Sequence, residues 1–516
     1  MNMDRRKFLS TAAVAGGVAA FAGLTGCSPT AAANGSESKE TEDVASQEKS
    51  ADIVIVGAGG AGLCAALTAE KGGASVILLE ALSMTGGATI GATSSNVCGS
   101  KMQKDAGVED TPETILASYE NDIRNPYVLE MAKTYAENNG ATHDWLKDEI
   151  GVDFVQETLN VFPPYPVARC LYAVGGGQAI VDALTSKVQE TSIELMLDTT
   201  AKKLIKEDGT VVGLVAQDAK GRETTIAAKA VILATGGFAA NRDIVPFHEL
   251  DDAMYYGVAG SDGKWVSLAA EGGAMLLDMW CVPLEQGGLQ TSPGFGQQIF
   301  SPVLQSYVRG SGILVNPDGA RIANEMKTSN ERWVEAYRSC PDSTAYLFLD
   351  KATYDIFYST GIGETGGAAF APETMEKWLA GDDKDNLPLV VTSDTVEGVA
   401  AKAGIDAAGL QATIDAFNAD AASGMDSAFG RPIKAPIGEG PYYIVGQNLR
   451  YAHSFGGLVA NGKMEVLDWT ETPMKGLYGA GQALRSIQGD YSKPSTSTSF
   501  AYTSGCCAAR SALETL

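Results

Sequence analysis

The stretch Ala51 to Glu80, ADIVIVGAGGAGLCAALTAEKGGASVILLE, constrains this chain more than any other. Ile53 to Val56 are consecutive apolar, largely β-branched residues, as expected of a parallel strand buried on both faces. Gly57, Gly59 and Gly62 follow in GxGxxG spacing, and a helix is predicted from Ala61 to Lys71. A second strand, Ser75 to Leu79, ends in Glu80. The spacing suits a dinucleotide. The first glycine permits a tight turn, the second lets backbone N–H groups of Gly59, Gly60 and Ala61 approach a pyrophosphate, and the third lets helix and strand pack closely. The helix N-terminus faces the phosphates, and an acid at the second strand's end accepts hydrogen bonds from a ribose hydroxyl pair.

The remainder agrees with α/β architecture. Two further strands run into glycine turns: Lys229 to Gly237 (KAVILATGG, with Ala234, Thr235 and Gly236 at the turn) and Gly476 to Gln482 (GLYGAGQ). Thr134 to Ile150 reads as an amphipathic helix and Asp406 to Ala421 as another. At 516 residues, two intertwined domains are expected. We expect a Rossmann-like domain over 51–283 and 453–516, interrupted by an inserted α+β capping domain over 284–452.

The first 26 residues read as an address rather than as fold. Arg5 and Arg6 precede an apolar stretch, Thr11 to Gly26, shorter than the ~20 residues that span a bilayer. Adjacent arginines resemble a twin-arginine export signal. Leu24-Thr25-Gly26-Cys27 resembles a lipobox, which implies a lipid anchor at Cys27 on the outer face of the cytoplasmic membrane. Residues 27–50 read as a flexible tether rich in Ser, Ala and Glu. The net charge of −25 argues against nucleic acid as a partner. Eight cysteines without CxxC or CxxCH, and three histidines without metal-ligand spacing, predict neither zinc nor covalent haem.

With these pieces in their order, the chain resembles the FAD-dependent oxidoreductases that include fumarate reductase, urocanate reductase and ketosteroid dehydrogenase flavoproteins. Further matching pieces are Thr85 to Thr89 (TGGAT), Val174 to Ile180 (VGGGQAI), Gly260 to Lys264 (GSDGK), Gly312 to Glu325 (GILVNPDGARIANE) and His453 to Gly457 (HSFGG). The resemblance implies non-covalent FAD. Glu80 would hold the ribose, and Gly86, Gly87, Ala88, Thr89, Thr93 and Ser94 would wrap the pyrophosphate and flavin. Ala201 would lie on the adenine side, Asp262 near the flavin, Gln482 at the ribityl chain, and Ser497 and Thr498 in the same cradle.

The resemblance further implies hydride transfer between flavin N5 and a carbon of an activated C–C double bond, with an acid or base serving the neighbouring carbon. Here the chain departs from the family. The arginine acid of fumarate reductases aligns with Ser329, and Arg332 is the nearest substitute. The carboxylate-clamping C-terminal arginine aligns with Ser492, and the His-Pro-Thr segment falls at Pro283 to Glu285, which has no histidine. Arg309 precedes a glycine as in the family, without its acidic partner. A small dianion needs paired cationic donors, so an enone or conjugated acid larger than fumarate is expected. Tyr491 and Ser495 fall where ketosteroid dehydrogenases bind a substrate carbonyl, and His453 matches the histidine beside the flavin. His143 reads as a helix-surface residue and His248 as a loop residue. The leading expectation is an exported reductase of an activated double bond, fed by a separate, cytochrome-type electron donor. The alternatives are a ketosteroid-type dehydrogenase and a flavin-binding electron-transfer lipoprotein with no substrate of its own.

Overall fold

The computed structural model describes residues 47–92, 94–161, 165–245, 250–293, 295–326, 330–363, 368–381 and 387–516. The signal and Cys27 lie outside them, as do Thr93, His248 and Ser329. Strand β1, Gln47–Val56, takes the last four residues of the expected tether, because Gln47 to Ala51 pair with Thr224 to Ala228.

Ile53 to Val56 are apolar because β1 lies inside a sheet with neighbours on both sides. Helix α1, Gly60–Lys71, covers the glycine turn, and β2, Val76–Leu79, pairs in parallel with β1. The order across the eight-stranded sheet is Glu465–Leu467, Pro473–Gly479, Glu223–Leu233, β1, β2, Glu194–Met196. Each pairing from Pro473–Gly479 to Glu194–Met196 is parallel. Parallel strands place their carboxyl ends on one edge, and three turns meet there. Gly57 N donates to Leu79 O at 2.7 Å, Ala234 N to Val56 O at 2.9 Å, and Ala480 N to Leu233 O at 2.9 Å. Ligands of such sheets bind outside that edge.

A second, seven-stranded sheet is built mainly from chain between Glu223–Leu233 and Pro473–Gly479. Its order is Phe295–Gln298, Glu285–Ser292, Tyr442–Tyr451, Thr344–Leu349, Ile313–Val315. It buries its own apolar core, which includes Leu289, Val303, Tyr307, Trp333, Phe357 and Leu449. Met254–Tyr255 pairs with Arg450 and Tyr451, so this sheet takes a strand from well before residue 284. Tyr442–Tyr451 lies centrally in the second sheet, and the chain leaves it through His453 and Ser454 towards the first. Ser454 Oγ accepts from Phe238 N at 2.9 Å, which joins that exit to the turn after Glu223–Leu233.

The helix predicted over Thr134 to Ile150 begins earlier, as Pro126–Trp145. Asn125 caps it by accepting from Tyr127 and Val128, and one π turn, Leu146–Ile150, extends it. Gly140 belongs there because a Cβ would stand 2.4 Å from Cys98 O. His143 is a correction: it is fully buried, against Phe154 and Tyr502. Its ring nitrogen Nδ1 bonds Asn139 O at 2.9 Å, and burial pushes its pKa down to about 4. Asp406 caps the helix Ala407–Ala421 as its sequence suggests.

Candidate active site

The geometry of the first turn separates the three glycines. Gly57 has φ +101°, and a Cβ would meet Ala234 O at 2.5 Å. A Cβ on Gly62 would stand 1.8 Å from Gly57 O, so this glycine sets how closely α1 approaches the end of β1. Gly59 differs. Its φ of −76° and ψ of −177° suit any residue, and a Cβ would find nothing nearer than Gly86 O at 3.8 Å. Nothing in the protein needs glycine at 59; what its missing side chain leaves open is the approach to the N-terminus of α1.

That approach opens into a cavity of about 790 Å3. Gly57, Gly59, Gly60, Ala61, Glu80, Gly87, Ala88, Thr89, Ser94 and Ala201 line it, together with Ala234, Thr235, Gly236, Asp262, Gln482, Ser497 and Thr498. Gly62 and Gly86 do not. They act through packing, Gly86 at φ +116° against Ile90 and Val181. Glu80 sits at the end of β2, where its carboxylate accepts from Ala58 N at 2.8 Å and Leu82 N at 2.9 Å. Those bonds aim it while leaving acceptor capacity. Thr89 Oγ1 accepts from Gly60 N at 3.1 Å. Thr235 Oγ1 is buried with no partner among the described residues. An open N-terminus on α1, a second one on the helix Thr496–Leu513, an aimed carboxylate and an unpaired hydroxyl together fit a dinucleotide with a polar ring system.

His453, Tyr491 and Ser495 line the same cavity. Tyr491 is held through its neighbours. Arg485 bonds Asp490 and Asp278, each at 2.6 Å, and the carbonyl of Gly489 at 2.8 Å. Ser495 occupies the position before Thr496–Leu513 at φ +63°, without a side-chain capping bond, and its hydroxyl is bonded to Ser94 Oγ at 2.6 Å. Arg332 lies on the helix Asn330–Arg338, with its side chain outside the described residues. Arg309 is exposed at the end of the helix Phe300–Val308.

Sequence reading missed a group of wall residues. Tyr256, Glu285, Gln286, Arg450 and Lys493 also line the cavity. Arg450 Nη2 pairs with Glu285 at 2.6 Å, and its Nε donates to Gln286 O at 2.9 Å. Ser492 also donates to Glu285. Burial alone would push the Glu285 carboxyl up, but Arg450 and His453 outweigh it and hold it below the ordinary glutamate value. Burial lowers His453, Glu285 opposes this, and Arg450 adds to it; the net direction is down, towards neutral imidazole. Lys493 pairs with Asp122, and Lys264 with Asp262 at 2.6 Å. Arg450 could have been suspected, as a lone cation in an apolar strand (YYIVGQNLRY) three residues before His453. Lys493 and Asp122 are 371 residues apart and leave no local signal.

Parallel sheet, glycine cradle and aimed acid define a dinucleotide-binding α/β protein. The FAD binding domain family matches residues 52–498, and the chain belongs to that family. The chain is 28% identical to the NADH:fumarate oxidoreductase of Klebsiella pneumoniae over 449 residues, covering 86% of this chain and 45% of that protein. It is also 28% identical to the vinyl phenol reductase of Lactiplantibacillus plantarum over 480 residues, covering 90% and 96%. A solved flavocytochrome c3 fumarate reductase in an open conformation superposes with a TM-score of 0.70 at 26% identity, covering 90% of this chain and 78% of that one. The chain thus spans less than half of the Klebsiella protein and nearly all of the Lactiplantibacillus one. It is an FAD-dependent oxidoreductase, and FAD is its cofactor.

Proposed function

We propose that the protein is an exported reductase of an activated C=C bond in a substrate larger than fumarate, with the second sheet forming the capping domain over the flavin. The carrying observation is the charge arrangement of the cavity. Each described lysine and arginine in its wall, Lys264, Arg450 and Lys493, already faces a carboxylate. Among the described residues of the wall, a dicarboxylate would bring two charges out of water without an unengaged cation to receive them. An enone asks less: neutral donors that meet charge developing on one oxygen. His453, favoured as neutral imidazole, offers one N–H, and the Tyr491 hydroxyl a second. Bound FAD would supply the hydride, with His453 and Tyr491 placed in the cavity wall to receive the substrate oxygen. The kinship with a vinyl phenol reductase over nearly its whole length supports a neutral, aromatic-sized alkene.

Export by the twin-arginine signal and tethering at Cys27 belong to the same proposal, as does a separate cytochrome-type protein that reduces the flavin. No described helix is long and apolar enough to cross a membrane. The test is to photoreduce the purified holoprotein without oxygen and add alkenes singly. Return of oxidised-flavin absorbance with neutral enones or vinyl phenols, and slower return with fumarate, is the expected result. Fumarate as the fastest oxidant, or silence from every alkene, overturns it.

A further inference from the structure

We infer that Glu285, clamped by Arg450, selects substrates that carry a hydroxyl group and rejects those that carry a carboxylate at the same place. This rests on the reductase reading, which assigns this end of the cavity to substrate.

The inference begins with what the wall lacks. Glu285 opens the strand Glu285–Ser292 with its side chain only 11% exposed, inside the cavity rather than on the surface. An ionised carboxylate has about four acceptor sites, and Arg450 and Ser492 are its named donors. Capacity therefore remains for a donor that the protein does not itself provide. A carboxylate with spare acceptor capacity in the cavity wall asks for a hydrogen-bond donor on the ligand.

The same charge excludes the opposite ligand. A substrate carboxylate beside Glu285 would meet a like charge in a partly desolvated wall, where the Arg450 cation is already engaged by Glu285 and by Gln286 O. A phenol, neutral near pH 7, loses little on desolvation and gives its O–H to a charged acceptor, the stronger kind of hydrogen bond. A buried charge pair of this kind discriminates through what it repels as much as through what it binds.

The experiment uses matched ligands: benzalacetone bearing a para hydroxyl, a para hydrogen or a para carboxylate, and their saturated analogues. Perturbation of the oxidised-flavin spectrum in the holoprotein gives each saturated ligand's dissociation constant without any turnover. Wild type should bind the hydroxyl compound at least ~10-fold more tightly than the carboxylate. E285Q removes the charge and should shrink that ratio by ~10-fold or more, whereas E285D should keep its sense. Equal affinity of wild type for hydroxyl and carboxylate ligands, or an unchanged ratio in E285Q with full flavin content, overturns the inference. Reoxidation of photoreduced protein by the unsaturated set is read in parallel. A binding preference without reoxidation would sink the reductase reading while leaving the assignment of Glu285 intact.

Discussion

Replacing Gly59 and Gly62 separately by alanine tests whether the first turn is built for a ligand or only for packing. In Gly62→Ala the new methyl would stand 1.8 Å from Gly57 O and 3.0 Å from Gly57 C, both backbone atoms. It must move by more than about 1 Å to reach ordinary contact, so the start of α1 has to lift from β1. Overpacking of this kind costs about 1–3 kcal/mol, set against a gain of about 1 kcal/mol in helix propensity. Because backbone cannot swing aside as a side chain can, a net loss of about 2 kcal/mol in the apoprotein is expected. In Gly59→Ala the backbone is already suited to alanine, and the nearest atom is 3.8 Å away. The unfolded chain loses freedom, worth about 0.4–1 kcal/mol of stability, and Ala is roughly 0.5–1 kcal/mol poorer than Gly at the helix cap. Apoprotein stability should therefore change by less than about 1 kcal/mol. The methyl instead fills the approach to the phosphates, and FAD affinity should fall at least ~10-fold, about 1.4 kcal/mol. Denaturant unfolding of both apoproteins, with FAD titration followed by fluorescence quenching, reads the two effects apart. FAD binding in Gly59→Ala as tight as in wild type, or a stability loss equal to that of Gly62→Ala, would refute the reasoning.

Three further outcomes are expected. Glu80→Ala should purify with less bound flavin, and full occupancy in that variant would remove Glu80 from the ribose site. Tyr491→Phe should lower turnover by ~100-fold while retaining flavin, if its hydroxyl stabilises charge developing on substrate; unchanged kinetics would take it out of the mechanism. His143 has a folded pKa depressed from 6.5 to about 4, so the unfolded chain binds the proton first. Its contribution is whole above pH 6.5 and fades as the pH falls through 4, amounting to about 3 kcal/mol. The slope of stability against pH in that window should flatten in His143→Gln, and a parallel slope in both proteins would disprove the assignment.

Local reading reached the cradle because its constraints are local. Gly57, Gly62 and Glu80 act within one strand–helix–strand unit of 30 residues, and Ala234 to Gly236 and Gly481 sit at the ends of strands that announce themselves by apolar runs. Reading failed where the determining contact is remote. His143 has the spacing of a helix-surface residue, and packing against Phe154, just past the helix, and Tyr502, far along the chain, makes it core. The helix Pro126–Trp145 begins ahead of the expected Thr134, at Asn125 and Pro126, which cap and open its first turn. The charged wall was invisible for the same reason, since Glu285 and Arg450 are neighbours only across the antiparallel pairing of Glu285–Ser292 with Tyr442–Tyr451.

What the linear order of residues determined alone is the dinucleotide unit and its chemistry, since backbone conformation, helix start and acid all lie within hydrogen-bond reach along one short segment. What only the tertiary structure decided is the character of the charged part of the cavity wall. There Glu285, Arg450, His453 and Tyr491 come from separate strands and loops, and whether a cation is available to a substrate depends on which carboxylate the fold has placed beside it. Charge pairing through a sheet is a property of register, and register is set when the strands meet.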